Sequence, residues 1–496
     1  MTRRQKLALN TFTSLANQLI VVVCGIILPR LFIKAYGSDV NGLIASITQF
    51  VSIIAFLELG VGAVVQASLY SPLAKKDTNE ISRILVSSNR FFKKIGFLLL
   101  VYSVALFLFY PLMVDSPYSF LYTGSLILII AFSSFSQYYF GISYQLLLNA
   151  DQLGFVTFIT NSLTTIINTL IVVILIRFNQ SIQIVKLVSA LIFLSRPVVY
   201  QLVVHWRYHP DLSIQLFSEP IKQKWNGIAQ HVASVVLNST DMIVLTLFSS
   251  FSTVSVYSVH YMVVNSIRKI ILSLTSGVGA LFGSMLSNRE MEKLGQVYDK
   301  FEWMMHTFVV LVFTITGILI TPFIAVYTAD ITDATYIYPL FAVLLTMAQA
   351  LYCLRLPYNQ LVLAAGHFKE TQRSAIIEAS LNIIISIVLV RRFGLIGVAI
   401  GTFIAMAYRT FYLVWYLSRN IIRRSLKHFL LHCLVDALSL GLMVVITQGV
   451  FLIDHTYFDW IVMALKVSVL CFGVSLLINL VFYPKMVLSI KQGIRR

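Results

Sequence analysis

Among the ionisable residues that stand inside otherwise apolar stretches are Arg30, Arg196, Arg268, Arg355 and Arg409, and the carboxylates Glu58, Asp241 and Glu378. A guanidinium presents a planar fork of donors that matches two phosphate oxygens at once, so arginines gathered around a water-poor space would hold an anion. A carboxylate there could pair with one of them, act as a gate that releases its partner in another state, or take a proton or cation that couples a cycle. Asp241 poses the question most sharply. It lies within "LNSTDMIVLTLF" (237–248), and its side chain is too short to reach headgroups. A central carboxylate of this kind turns to a cavity or a partner rather than to lipid. From sequence all three roles stay open for it, with Arg268 the basic partner expected if it gates.

Depth separates these residues. Counting 1.5 Å per residue from the predicted span ends puts Arg196 roughly 18 Å, and Arg268 and Arg409 about 21 Å, from the outer face, with Asp241 about 22 Å from the inner face. Lys186 and Lys466 lie close enough to an outer end to snorkel. Glu58, Arg355, Glu378, Lys269 and Asp436 fall toward the cytoplasm. Pro29-Arg30, Arg196-Pro197 and Arg355-x-Pro357 each set a guanidinium beside a break in the helical hydrogen-bond ladder, which is tolerated where a helix lines a cavity. The expected substrate-binding set is therefore Arg30, Arg196, Arg268, Arg355 and Arg409, with Arg30 near the outer mouth. Asp241, Glu58 and Glu378 are the candidates for gating or coupling. There is no P-loop, zinc-ligand spacing or kinase signature, and the scattered Ser, His and Asp residues form no hydrolytic constellation. No cofactor and no enzymatic activity are expected.

Membrane-crossing helices must position these groups. The chain has 496 residues, 58% of them hydrophobic and 11% charged, against about 25% charged in an ordinary soluble domain. Apolar runs recur near 9–32, 41–64, 95–114, 121–147, 155–177, 184–206, 226–248, 254–275, 301–327, 339–363, 374–391, 395–417, 429–453 and 460–483. About 20 residues at 1.5 Å each cross a hydrocarbon core of roughly 30 Å. This is an all-α polytopic membrane protein with about fourteen transmembrane helices. "MTRRQK" ahead of an apolar run resembles a signal peptide, but Asn10, Asn17 and Gln18 interrupt that run and no small-residue cleavage site follows, so a retained first span is expected. The four cysteines all fall in apolar runs and suggest no disulfide framework.

Charge sets the orientation. Segments on one side carry 25 Lys and Arg residues; the opposite side carries only Arg30, Lys34, Arg177, Arg391 and Arg392. By the positive-inside rule both termini are cytoplasmic. The net charge of +17 is then mainly topological, and a nucleic-acid partner is unnecessary. The outer loops are short, such as "DSPYS" and "DHTYFD", and leave no room for an external catalytic domain.

The chain also repeats itself at a spacing of 213–215 residues. "LLNADQ" (147–152) answers "VLAAGH" (362–367), and Arg177-Phe178 answers Arg392-Phe393. Amphipathic segments around Ile81–Phe92 and Leu294–Met305 correspond too, and each is expected to lie in the cytoplasmic interface. Six spans per copy give the copies the same orientation, hence two six-helix lobes related by a pseudo-two-fold along the membrane normal. The expected division is 1–212, 213–425, and 426–496 for two extra C-terminal helices and a tail.

"AYGSDVNGLIASITQF", "LELGVGAVVQASLYSPLAKKD", "IKQKWNGIAQHVASVVLNSTDMIVLTLF", "LAAGHFKETQ" and "RRFGLIGVAIGTFIAM", in that order, resemble bacterial polysaccharide flippases of the Wzx type, in the multidrug/oligosaccharidyl-lipid/polysaccharide exporter superfamily. The resemblance runs over nearly the whole chain. It implies a central cationic cavity in a protein of the bacterial cytoplasmic membrane. The implied substrate is a polyprenyl-pyrophosphate-linked oligosaccharide repeat unit, moved from the inner to the outer leaflet by alternating access for capsule or other surface polysaccharide. Membrane lipids, a polysaccharide polymerase and other assembly proteins are the implied partners. Two other readings compete: a cation or drug antiporter of the same superfamily, which should carry more acid than base at depth, and a membrane polymerase or ligase, which should carry a long outer loop.

Overall fold

The polar residues of the first apolar run show how this chain builds its helices. In the computed structural model, which describes residues 3–54, 61–215, 228–275, 277–452, 454 and 456–488, that run is helix α1 (Arg3–Tyr36). It lies in register along a later helix, α7 (Gly154–Arg177). Lys6 reaches Asp151 at 3.2 Å, Asn10 accepts from the Phe155 amide at 2.6 Å, and Asn17 accepts from Ser162 at 3.1 Å. Each pair is 145 residues apart, so the two helices run parallel. Amide side chains that interrupt an apolar run are here the contacts that join one helix to another, the usual use of polar side chains inside a membrane bundle.

Between α1 and α7 come α2 (Ser38–Ser52), α3 (Val61–Lys75), α4 (Thr78–Met113), α5 (Phe120–Ser136) and α6 (Ile142–Ala150). A single π turn, Gln137–Gly141, joins α5 to α6. After α7 follow α8 (Ile182–Tyr208), α9 (Ile228–Phe248), α10 (Phe251–Thr275), α11 (Val278–Ser287), α12 (Met291–Tyr327), α13 (Pro339–Leu354) and α14 (Leu356–Ala364). Then come α15 (Phe368–Asn420), α16 (Lys427–Thr447) and α17 (Tyr457–Phe482). No strand occurs among the described residues. The expected repeat is present in the order of elements. A crossing in two pieces, one long helix, a second crossing in two pieces and a helical hairpin occur twice. α2 and α10 begin 213 residues apart, as do α4 and α12, and α7 and α15 begin 214 apart.

Among the described residues, eleven helices or helix pairs are long and apolar enough to cross a membrane. α15 makes two crossings, because Gly394 (φ 52°, ψ −126°) turns it back on itself. With α2–α3 and α9 the count reaches fourteen. The outward faces stay apolar: Leu170, Val388, Leu434 and Val469 are 59%, 67%, 70% and 71% exposed, a surface that suits lipid and not water.

By packing, the chain forms two units, Met1–Ser255 and Val256–Arg496. α9 sits in the first of them. Its Ser239 and Thr246 meet Gln49 and Ser46 of α2 at 2.7 and 2.8 Å. The amphipathic segments expected at the interface differ from that reading. Each is the N-terminal part of a continuous helix, α4 or α12. Ile81, Ile84, Leu85 and Phe92, and likewise Leu294 and Tyr298, are at most 3% exposed. Their apolar stripe is a packing face, covered by α3 and α6 in one unit and by α11 and α14 in the other.

The α15 hairpin has no loop to speak of, so its arms must touch. Asn382 on one arm donates to Thr402 on the other at 2.9 Å. A Cβ on Gly397 would collide with the Leu389 carbonyl, and one on Gly401 with Ser386. Gly401→Leu should therefore force the arms apart. Overpacking of this kind costs about 1–3 kcal/mol, and thermal unfolding of the purified protein should show a lowered midpoint, while Gly441→Leu, on an open helix face, should leave it unchanged.

Candidate functional site

In the second unit, three of the five candidate arginines and one of the three candidate carboxylates come together. Pro357 stands two residues into α14 and has no N–H to return to the Cys353 carbonyl, so α13 and α14 part at Arg355. The break turns the Arg355 side chain into the unit, where it is 9% exposed. There it pairs with Glu378 on the first arm of α15. The other Glu378 oxygen lies 3.8 Å from Arg409 Nε on the second arm. Arg409 also donates to the Thr371 carbonyl at 2.8 Å and to the Ser374 hydroxyl. One carboxylate thus serves two guanidiniums from different elements, and all three residues are buried.

Arg268 of α10 stands beside this triad. It donates to Gln349 at 3.0 Å and to the Tyr261 hydroxyl at 3.1 Å. The Tyr352 ring links it to the triad, with the Arg268 guanidinium 5.0 Å and the Arg355 guanidinium 4.3 Å from its centroid. Three guanidiniums and one carboxylate meet here among the described residues. Neutral residues that sequence alone did not single out, Gln349, Tyr261, Tyr352 and Ser374, hold those charges in place. Their type gives no sign of the role, since a tyrosine or glutamine in an apolar helix reads as packing.

The first unit positions its candidates differently. Arg196 of α8 donates to the hydroxyls of Thr164 and Thr165 on α7, at 2.7 and 3.0 Å, and lies 4.2 Å from the Phe193 ring centroid. It makes no ion pair among the described residues. The adjacent Pro197 packs where a Cβ on Gly141 would fall, so the proline kink is fitted against the π turn between α5 and α6. Arg30, after Pro29 in α1, is half-buried. Asp241 is 4% exposed and partnered, on the α9 helix that packs against α2. Glu58 lies outside the described residues.

The geometry gives the two kinds of arginine different stability. Glu378→Gln would leave Arg355 and Arg409 buried without their counter-charge, and breaking a buried pair from one side costs about 3–5 kcal/mol. Arg196→Gln removes the charge together with its hydrogen bonds to two neutral hydroxyls, so no buried charge is left uncompensated, and the Thr164 hydroxyl keeps its bond to the Thr160 carbonyl. The expected result is a larger fall in the melting midpoint of purified Glu378→Gln than of Arg196→Gln.

No family model matches the chain, and no curated protein matches it in sequence. Solved structures match it in fold. A lipid II flippase MurJ in an inward closed conformation superposes with a TM-score of 0.72 at 16% identity, over 97% of this chain and 100% of that one. An inward-facing multidrug resistance transporter of the MATE family, in the MOP superfamily, gives 0.58 at 16% identity over 81% and 95%. A mutant of the Vibrio cholerae MATE transporter VcmN gives 0.60 at 13% identity over 86% and 100%. At these identities the likeness is one of fold: this chain has the helical fold shared by the MurJ flippase and the MATE transporters of the MOP superfamily.

Proposed function

We propose that this protein is a flippase that moves a polyprenyl-pyrophosphate-linked oligosaccharide from the inner to the outer leaflet of the bacterial cytoplasmic membrane by alternating access, with both termini cytoplasmic. The gathering of guanidiniums carries this reading: Arg268, Arg355 and Arg409 around Glu378, with Asp241 as a further buried carboxylate, and Arg196 on the hydroxyls of Thr164 and Thr165. Such a lining attracts a phosphate-bearing anion and repels the cations that a drug antiporter would export. A pyrophosphate also gains from an inside-negative potential on its way out, by about 2.3 kcal/mol per charge per 100 mV. The fold likeness to MurJ fits a lipid-linked substrate. The fold likeness to MATE transporters keeps drug export as the second reading.

Arg268→Ala and Arg196→Ala should each weaken recognition of the pyrophosphate by about 1.5–3 kcal/mol, the typical strength of a hydrogen bond to a charged group. Lysine at either position should rescue in part, since the charge returns without the fork. The measurement is accumulation of the lipid-linked intermediate in the inner leaflet of depleted cells complemented with each variant at matched protein levels. Full complementation by both alanine variants would overturn the anion-binding assignment, and drug efflux without any lipid-linked intermediate would favour the second reading.

Asp241 belongs to the same proposal as a partner or gate for a cavity arginine. Asp241→Asn should impair translocation, and Asp241→Arg combined with Arg268→Asp should recover part of what either single change loses. Wild-type activity of Asp241→Asn would remove the pairing, gating and coupling roles together.

A further inference from the structure

The helix ends at Ala150 of α6 and Ala364 of α14 are the same turn in the two copies of the repeat. In the first copy the Leu153 amide donates to the Leu148 carbonyl at 2.8 Å and the Gln152 amide to the Asn149 carbonyl at 3.2 Å. In the second, His367 donates to Val362 at 3.2 Å and Gly366 to Leu363 at 3.0 Å. Such a turn needs one residue in the left-handed region, where glycine is at ease. The second copy places Gly366 there, at φ 80°, and the first places Gln152 there, at φ 58°. The first copy thus keeps a side chain at a steric cost that glycine avoids.

Gln152 opens onto a cavity of about 690 Å³, lined from α1, α3, α6 and the turn itself. Tyr70 of α3, Asn149 of α6, Lys6 and Asp151 line it too. The Tyr70 ring is 54% exposed. Its hydroxyl, and the side-chain amides of Asn149 and Gln152, make no hydrogen bond among the described residues. Lys6 and Asp151, by contrast, are engaged. Lys6 Nζ donates to the Asp151 carbonyl at 2.8 Å and to its carboxylate at 3.2 Å. The other carboxylate oxygen accepts from Tyr208 at 2.6 Å and lies 3.6 Å from Arg207 Nε.

The framework does not call for this polar set. α4 and α12 begin 213 residues apart, and α7 and α15 begin 214 apart, so the counterparts of Tyr70, Asn149 and Gln152 are Gly283, Leu363 and Gly366. None of these carries a hydrogen-bonding side chain. A Cβ on Gly283 or Gly366 would meet nothing within 4 Å, so crowding is not what keeps the second copy bare. The same turn closes with or without a phenol and two amides around it.

The lining selects the chemistry of a ligand. Lys6 and Asp151 cancel each other's charge, so the lining residues carry no net charge, and a phosphate would meet a carboxylate. A side-chain amide sets a donor and an acceptor side by side, the pattern that neighbouring hydroxyls of a sugar ring, or an acetamido group on one, present in return. The electron-rich face of a tyrosine ring suits the C–H face of a pyranose. The volume falls within the roughly 300–1,000 Å³ of small-molecule sites.

We propose that this cavity is a carbohydrate subsite, in which Tyr70, Asn149 and Gln152 hold a neutral sugar of the lipid-linked substrate while the lipid is in the inner leaflet. The subsite rests on the flippase reading above, including the cytoplasmic side of the α6–α7 turn, and deepens it by giving the sugar a place of its own on the first unit.

The test is binding to the full chain in lipid nanodiscs. One probe is the lipid-linked intermediate extracted from cells depleted of the protein, and the other is polyprenyl pyrophosphate without sugar. The triple variant Tyr70→Gly, Asn149→Leu, Gln152→Gly carries the second copy's residues at the three positions. Wild type should bind the sugar-bearing lipid about tenfold or more tightly than the bare one, as a few neutral hydrogen bonds of ordinary net strength allow. The triple variant should bind both lipids alike, at the bare lipid's affinity. Gln152→Gly alone relieves the left-handed backbone and should keep a melting midpoint no lower than wild type, while losing about threefold in affinity for the sugar-bearing lipid only. A preference that Gln152→Gly leaves whole, or a loss shared equally by both lipids, would overturn the subsite. Wild type that binds both lipids without discrimination defeats the subsite alone. Absence of any lipid-linked intermediate in depleted cells, or of binding to either lipid, defeats the flippase reading itself.

Discussion

A charge buried among membrane-crossing helices has no water to fall back on, and the contact of Arg355 and Arg409 with one carboxylate, Glu378, is this protein's central answer to that constraint. It ties the break between α13 and α14 to both arms of α15. Without Pro357 the helix would run straight past Arg355, and without Gly394 the second arm would not return to bring Arg409 alongside. The small residues at the hairpin contact, Gly397, Gly401 and Ser386, set how closely the arms approach. The same arrangement sets a third guanidinium, Arg268, beside the two that share this carboxylate.

The two copies of the repeat share a framework but not an electrostatic solution. Each has a long crossing interrupted near its middle, by the π turn at Gln137–Gly141 in one and by Arg355 and Pro357 in the other. Each also joins its next helix pair through a polar contact at the same place in the repeat. Asp151 bonds Lys6 and Tyr208 in the first copy, and His367 bonds Tyr416 in the second, at 2.8 Å. The inner charges then diverge. Arg196 rests on threonine hydroxyls, whereas its counterparts in the second unit are fixed by a carboxylate. Hydroxyls hold a guanidinium in position while leaving its charge available, and a carboxylate holds it more tightly while cancelling part of the charge.

The helices beyond the repeat extend the second unit's polar chemistry. α16 and α17 pack on α12, and Trp303 and Thr307 of α12 both donate to Asn479 of α17, at 2.7 and 3.0 Å. Together with the Asp436–His306 contact these bonds make α12 the seam between the repeated framework and the added pair. Leu294, Tyr298 and the rest of its apolar stripe bury the same helix on its other side.

The sequence by itself determined the class of protein, the number of crossings and the repeat. All of these are carried by composition and period along the chain: apolar runs of the right length and offsets near 213. What only the tertiary structure decided is which charges meet. Arg355, Glu378 and Arg409 are spread over more than fifty residues, and their meeting depends on a kink at Pro357 and a reversal at Gly394 whose angles no periodicity encodes. The same holds for Gln349 and Tyr261 beside Arg268, and for Ile81 and Leu294, whose amphipathic pattern is the same for a helix lying on a membrane as for one packed against its neighbours. Sequence also displayed Glu302 and His306 four residues apart on one helix and Asp436 alone on another. That His306 meets Asp436, and Glu302 meets Arg424, holds only once the helices bring them within hydrogen-bonding distance, because pairing is a property of contacts and not of residue types.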